Sequence, residues 1–469
     1  MHPHLQRSLL AAAVWASCLA PASATDLLQA WQAAQGHDRA YAVARAAHAG
    51  AQPRRDQAAA LWRPNVALTA AAGLATGETD TRGAQFAAPG LGRSNGVDFS
   101  TSVTGGTATR WALQASQPLY NPQRRAQQQQ LGLQAEQADV QWQAAQQALL
   151  LSTAQRYFDV AVAQQALAVL ALQQSAVQRM AAEAQERYDL GSAPITDTYE
   201  ARARLAMLRA QQLTAQSALD IQRRQLADST GLAGAALVVQ LPGSTSASSP
   251  AALPALSALR ALDAWQQDAQ ARNPDIRRQA LAVDSARAEL QKHRRSAAAS
   301  IDLVAQAGQE RLHGSGDYGR ASNKSLNAMV GVQLTVPLWS GGMRSAKEDE
   351  ALALQSQAEA QLEATREQVA QQVYAAHLGL SVGAERVQAL TEALSASEQR
   401  QDATRLGREV GDRTVLDLLN AESDTAAARL ALAQARSQLL LEHLRLAQLA
   451  GQLDEDTLRA VNQALAAAP

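Results

Sequence analysis

The stretch LNAMVGVQLTVPL, residues 326–338, alternates: Leu326, Ala328, Val330, Val332, Leu334 and Val336 fall on one face and Asn327, Gly331, Gln333 and Thr335 on the other. A period of two with one apolar side predicts a half-buried strand. Val66, Leu68, Ala70, Ala72 and Leu74 repeat the pattern, as do Ile301, Leu303, Ala305 and Ala307, and Trp111, Leu113 and Ala115 complete the set more weakly. Polar, glycine-rich segments at roughly 75–97 and 312–324 are expected to be the loops that join them in pairs. Four strands result, arranged as two hairpins.

Between the strands the pattern changes. From Gln123 to Leu190 the chain is built of alanine, glutamine, leucine, glutamate and arginine with no proline, so nothing obliges a helix to break. At about 1.5 Å per residue such a helix would run on the order of 100 Å. No compact core stabilises a single helix of that length; it must lie against others of comparable length. A turn is expected at Gly191 with Pro194 just beyond, because glycine closes a helix in the left-handed region and proline blocks simple continuation. A return helix then reaches about Thr230. The polar segment 241–255 reads as a linker, and a new helix is expected from near Leu256.

The pattern then repeats. LQAWQAAQGHD at 28–38 matches LDAWQQDAQARNPD at 262–275, and Gly73 matches Gly308. QPLYNPQRR at 117–125 matches VPLWSGGMR at 336–344, which pairs Pro118 with Pro337 and places Gly341 and Gly342 at the second strand-to-helix junction. A second long helix is predicted from about Met343 to Leu406, with a turn at Gly411 and a return helix from 414. Each half is therefore short helix, strand, strand, long helix, turn, return helix: a tandem duplication of 25–240 and 256–451, with a C-terminal segment at 452–469. The leading helix, 27–60, and the return helix together match the long helix in length, so one layer of helices can extend each strand pair if the two short ones stack end to end.

The chain ends and composition sharpen this picture. Residues 1–24 carry a basic start at Arg7, an apolar run from Leu9 and a small-residue cut site at Ala22-Ser23-Ala24, the features of a secretory signal. Trp15 and Ser17 fit the positions before a lipidated cysteine poorly, so Cys18, the one cysteine, is expected to leave with the signal. The mature chain is then an exported protein without disulfides. Losing the signal removes one arginine and no acid from a formal charge of −1, a balance that points away from nucleic acid. Beyond the signal there is no uncharged apolar run of 18 residues. Four strands cannot close a membrane barrel, whereas two chains would supply eight and three would supply twelve. A sheet packed on the helices of a soluble protein is the alternative.

GDRTVLDLLNAESD at 411–424 and AGQLDEDTLRAVNQAL at 450–465 resemble the corresponding stretches of the TolC-like outer membrane efflux protein family, and the duplicated layout extends the resemblance over about 27–466. The resemblance implies a mainly α protomer that forms a homotrimer, with a twelve-stranded barrel in outer-membrane lipid continuous with a long periplasmic helical barrel, and an equatorial belt made partly from the linker and C-terminal segment. It implies a periplasmic adaptor and an inner-membrane transporter of RND, ABC or MFS class as partners, no cofactor, and export of drugs or proteins. In that family an arginine and a tyrosine near the second turn and an aspartate near the first hold the entrance closed. Arg413 takes the arginine's position and Asp197 the aspartate's, while Arg408 stands where the tyrosine would be, which implies an altered latch. Two constricting aspartate rings would fall on Asp417 and Asn420, so one ring is replaced by an amide. A raised carboxyl pKa is expected at Asp417 from mutual repulsion in such a ring.

An enzyme is not expected. The histidines are scattered, and there is no HExxH, no phosphate loop and no nucleophile elbow. The competing function is an exported coiled-coil scaffold or periplasmic adaptor without a barrel, although an adaptor would be expected to carry one helical hairpin and several small β domains.

Overall fold

The computed structural model describes residues 25–90, 92–192, 194–232, 239 and 260–466. The expected signal with Cys18, the linker at 241–255 and the helix start at Leu256 lie outside the described residues. The element order is α1 (Leu27–His37), α2 (Arg39–Ala49), α3 (Ala51–Ala60), β1 (Asn65–Ala88), β2 (Gly92–Tyr120), α4 (Pro122–Asp189) and α5 (Ile195–Thr230). The second half gives α6 (Leu262–Arg272), α7 (Pro274–Arg294), β3 (Ser300–Gly316), β4 (Gly319–Thr335), α8 (Met343–Glu409), α9 (Val415–Leu449) and α10 (Glu455–Ala466). The residues fall into two units, one within Gly50–Glu136 and Leu281–Glu359, the other within Met1–Ala49, Gln137–Ala280 and Ala360–Pro469.

The first unit holds a four-stranded antiparallel sheet in the order β1-β2-β3-β4. Directly opposed residues of an antiparallel ladder share a face. The register places Val66, Leu68 and Ala70 beside Ala115, Leu113 and Trp111, then Ala305 and Ala307, then Val330 and Ala328. One apolar band thus crosses all four strands. The opposite face carries Arg110, whose guanidinium lies 3.0 Å from Glu310, and Gln114 and Gln306. Among the described residues no element covers the band: Leu68 is 68 % exposed, Val330 77 % and Leu334 62 %. The soluble alternative, a sheet buried on its own helices, does not describe this face.

The strands are longer than expected. Segments 75–97 and 312–324, expected to be loops, are strand almost throughout, with the reversals confined to residues around Gly90 and to Asp317-Tyr318. Threonine, serine and glycine pair their backbones there without burying either face. Hydrophobic alternation therefore vanishes while the ladder continues.

The second unit is helical. Its core gathers Leu27 and Ala30 of α1, Leu150, Tyr157 and Phe158 of α4, Leu219 and Leu226 of α5, Leu440 and Leu444 of α9 and Leu458 and Val461 of α10. Tyr157 donates its hydroxyl proton to the Thr25 carbonyl at 3.1 Å, and Asn462 accepts from the Leu27 amide at 3.2 Å, so the C-terminal helix fixes the start of the described chain. Within α4 one 18-residue window reaches a mean hydropathy of 1.3 with at most two charges, enough by composition to cross a bilayer. Tyr157, Phe158 and Val160 of that helix are buried against the other helices, while most of the window is not buried within the protomer.

The expected helix 27–60 is broken at Asp38 and Gly50. Asp38 donates its amide to Ala34 as the close of α1, at 2.8 Å, and accepts from the Tyr41 amide as the start of α2, at 2.9 Å. Asn273 does the same between α6 and α7, where its Oδ1 accepts from Asp275 and Ile276. A short acceptor side chain that satisfies the next helix's free amides makes a break as stable as continuation. The duplication extends to packing: the return helices end at left-handed Gly231 and Gly451, where a Cβ would meet the His37 ring at 2.8 Å and the Arg272 carbonyl at 2.5 Å. Only glycine admits both approaches.

Candidate functional site

Both hairpin turns are built by the same hydrogen bonds. Gly191 has φ 70° and Gly411 φ 85°. Gly191 donates to Tyr188 and Ser192 to Arg187, both at 2.8 Å, while Gly411 donates to Arg408 at 3.1 Å and Asp412 to Gly407 at 2.8 Å. This double closure satisfies carbonyls that the helix end leaves open. Leu190 and Val410, which precede the glycines, are each 76 % exposed.

The two return helices start differently. At α9, Thr414 and Asp417 cap each other: the Asp417 amide donates to Thr414 Oγ1 at 3.1 Å, and Asp417 Oδ2 accepts from the Thr414 amide at 3.0 Å and its hydroxyl at 2.8 Å. Hydrogen bonds from the Thr414 amide and then its hydroxyl, with a contribution from Arg413, hold the Asp417 carboxyl below its ordinary value. This acts opposite to the rise expected from repulsion between copies in a ring: within the protomer, a carboxylate fixed at a helix N-terminus is stabilised as the anion. At α5 the cap position is Pro194, which has no side-chain donor or acceptor. The Asp197 carboxylate, at the equivalent place, has no hydrogen-bond or ion-pair partner among the described residues.

Arg413 is exposed and folds back over Gly407, where an added Cβ would stand 2.8 Å from its Cγ. Among the described residues no ion pair joins it to Asp197 within the protomer. Arg408 makes the connection between hairpins instead, with its guanidinium 2.9 Å from Glu183 of α4 and its side chain only 10 % exposed. Beside it Glu422 of α9 is partly buried; desolvation pushes its carboxyl up, against the pull of Arg179, Arg405 and Arg408. Arg204 of α5 donates to the Ser423 hydroxyl. Val177, Met180 and Leu208 of the first hairpin pack against Val415, Leu418 and Leu419 of the second. Asp417 and Asn420 are both exposed, one helical turn apart.

Sequence reasoning identified Arg408 by position but missed Glu183, Glu422, Arg179 and Ser423. Their signal in the chain is no different from that of any solvated helix charge. The junction residues are asymmetric. Pro118 lies inside β2 beside a register shift and opposes Asp302, whereas Pro337 follows the end of β4. Gly341 and Gly342, with φ 60° and 85°, lead into α8, and Asn121 caps α4 by accepting from Arg124 at 2.9 Å. Among the described residues no cluster of His, Cys, Asp and Glu could hold a metal ion.

Comparison with known proteins agrees with this architecture. The family model for outer membrane efflux proteins matches residues 30–232 and 265–452. The outer membrane protein TolC of Escherichia coli K12 is 28 % identical over 384 residues, covering 79 % of this chain and 75 % of that protein. The alkaline protease secretion protein AprF of Pseudomonas aeruginosa is 27 % identical over 354 residues, 74 % of this chain and 71 % of that one. The crystal structure of the outer membrane protein VceC of Vibrio cholerae superposes with a TM-score of 0.70 at 19 % identity, covering 91 % of this chain and 97 % of that one.

Proposed function

We propose that this chain, which belongs to the outer membrane efflux protein family, assembles as a homotrimer whose four-stranded sheets close one twelve-stranded barrel and whose helices form a periplasmic duct. Its place is the outer membrane, with a large periplasmic helical part, and its role is that of a channel rather than an enzyme. The observation that carries the trimer is the sheet itself. β1 and β4 are long edges with unpaired backbone groups, and the apolar band beside them is uncovered. Such an edge is a template for another chain, and a barrel is the arrangement that leaves none in lipid. The band along β4 from Leu326 to Leu334 has about the length a tilted strand needs to cross a bilayer.

Partners follow from the turns. Leu190 and Val410 present equivalent apolar tips, suited to a periplasmic adaptor that links the duct to an inner-membrane RND, ABC or MFS transporter. The Arg408–Glu183 pair holds the two hairpins of one copy together. Asp197 and Arg413, unengaged with each other in the protomer, serve as the latch between copies. Three Asp417 carboxylates constrict the pore and Asn420 adds no charge beside them. The cargo is a small molecule or a secreted polypeptide.

The mass of the detergent-solubilised protein tests this reading. Three mature chains per particle are expected, with single channels in planar bilayers. A monomer or dimer that keeps its native strand and helix content would overturn it, and a scaffold without a barrel would give no channels.

A further inference from the structure

A second feature lies in the sheet unit. Where β2 ends and α4 begins, a cavity of about 610 Å³ is lined by Trp62, Leu119, Tyr120, Arg125, Gln128 and Arg295, among others. Its lining holds two arginines and no carboxylate. Both arginines are exposed, and among the described residues neither has an ion-pair partner. That contrasts with the neighbouring cavity, where Glu289 lies 2.9 Å from both Lys292 and His293.

The apolar side of the cavity is held in place. Trp62 Nε1 donates to Gln128 at 2.9 Å, and Gln117 donates to the Trp62 carbonyl at 2.7 Å. Arg124 donates to the Leu61 carbonyl at 3.0 Å. Tyr120 opposes Ile301, which shares its face with Leu303 and Ala305 of the apolar band. The two guanidinium groups therefore stand at the margin of that band, beside an aromatic pair of the kind that settles at a membrane interface. Tyr120 belongs to β2 and Arg295 leads into β3, the two central strands, whereas copies would pair along β1 and β4.

We propose that this cavity is a headgroup site for an anionic glycerophospholipid of the periplasm-facing leaflet. Arg125 and Arg295 would clasp the phosphate, since guanidinium donors match phosphate oxygens and no carboxylate competes. The glycerol and acyl chains would run over Leu119 and Tyr120 onto the band. A lipid with net negative charge suits two uncompensated cations better than a zwitterion does. The proposal rests on the membrane reading of the sheet.

The test uses the full-length protein in detergent, mixed with equal amounts of phosphatidylglycerol and phosphatidylcholine, with retained lipid counted by native mass spectrometry. Wild type should favour phosphatidylglycerol by roughly tenfold. The R125Q/R295Q variant should lose that preference while still inserting in vesicles and conducting, and R63Q/R344Q, altered just outside the cavity, should keep it. Equal preference in R125Q/R295Q and wild type, or an equal loss in R63Q/R344Q, would show general attraction to a basic girdle and overturn the site. Displacement of the lipid by inorganic phosphate at equal concentration would make it a free-phosphate site and overturn the lipid assignment. Failure of the wild-type protein to insert in vesicles at all would instead strike the membrane reading.

Discussion

The turns at Gly191 and Gly411 began as copies of one another and still share their backbone closure, yet they no longer do the same work. In the second, Thr414 and Asp417 lock the start of α9, and Gly407 leaves room for Arg413 to lie back along α8. In the first, Pro194 presets the chain's direction and its carbonyl accepts the Asp197 amide at 3.3 Å, but it offers the Asp197 carboxylate nothing to bond. Duplication preserved the geometry that makes a hairpin and released the side chains at its mouth. One aspartate is a structural cap held as an anion, and the carboxylate of the other has no partner among the described residues.

The shared part should be the harder to disturb. Valine at Gly191 or at Gly411 forces a β-branched residue into the left-handed region, at a cost of about 1–2 kcal/mol. Hydrogen exchange at the last turns of α4 and α8 should rise by a similar factor in the two variants. A strong response at one turn and none at the other would mean that the closures are not equivalent, and the comparison would start from a false premise.

The caps should respond in opposite directions. Thr414→Val removes an N-cap acceptor worth about 1 kcal/mol and should loosen the first turn of α9. Pro194→Thr supplies the missing hydroxyl to Asp197, so the first turn of α5 should gain protection from exchange. Loss of protection at both sites would show that proline's fixed φ outweighs a reciprocal cap.

Between the hairpins the effect is smaller. Arg408→Ala breaks the pair with Glu183, and since Glu183 is 44 % exposed the loss should stay near the upper end of the surface range, about 1 kcal/mol. Single-channel conductance should rise as the closed end loosens. Conductance unchanged in Arg408→Ala but raised in Arg413→Ser would assign closure to contacts between copies alone.

These differences show what could be read from the chain. The long helices appeared to within three residues, because about seventy positions of strong helix formers without proline leave no alternative. Gly191 and Gly411 were legible for the same reason: an end needs a left-handed residue. The break at Asp38 was not, because aspartate inside an apolar helical pattern looks like any exposed charge until its oxygen is seen on the Tyr41 amide. Strand beyond Ala75 was hidden because a ladder with two polar faces has no hydrophobic period. The Arg408–Glu183 pair joins residues on different hairpins, and no local pattern records which charges of two neighbouring helices will meet.

The smallest effect concerns the pore. The Asp417 carboxyl is held low by Thr414, so its folded value lies below the unfolded one. Its stabilisation is then fully present above the ordinary carboxylate range and is lost only as pH falls through the lowered value. Glu422 has the opposite sign: burial raises its carboxyl, so acid relieves a cost there while it removes a cap at Asp417. Cation preference, read as a reversal potential across a salt gradient, should persist below the pH at which a free aspartate is half protonated. Asp417→Ala should reduce it and Asn420→Asp should increase it, because the second carboxylate falls one turn along the same exposed face. Thr414→Val should leave the charge in place but move its titration upward, since the hydroxyl bond that favours the anion is lost while the amide bond remains. A reversal potential that titrates at the same pH in Thr414→Val and wild type would mean that repulsion within the ring governs Asp417, and the cap would be a feature of the fold alone.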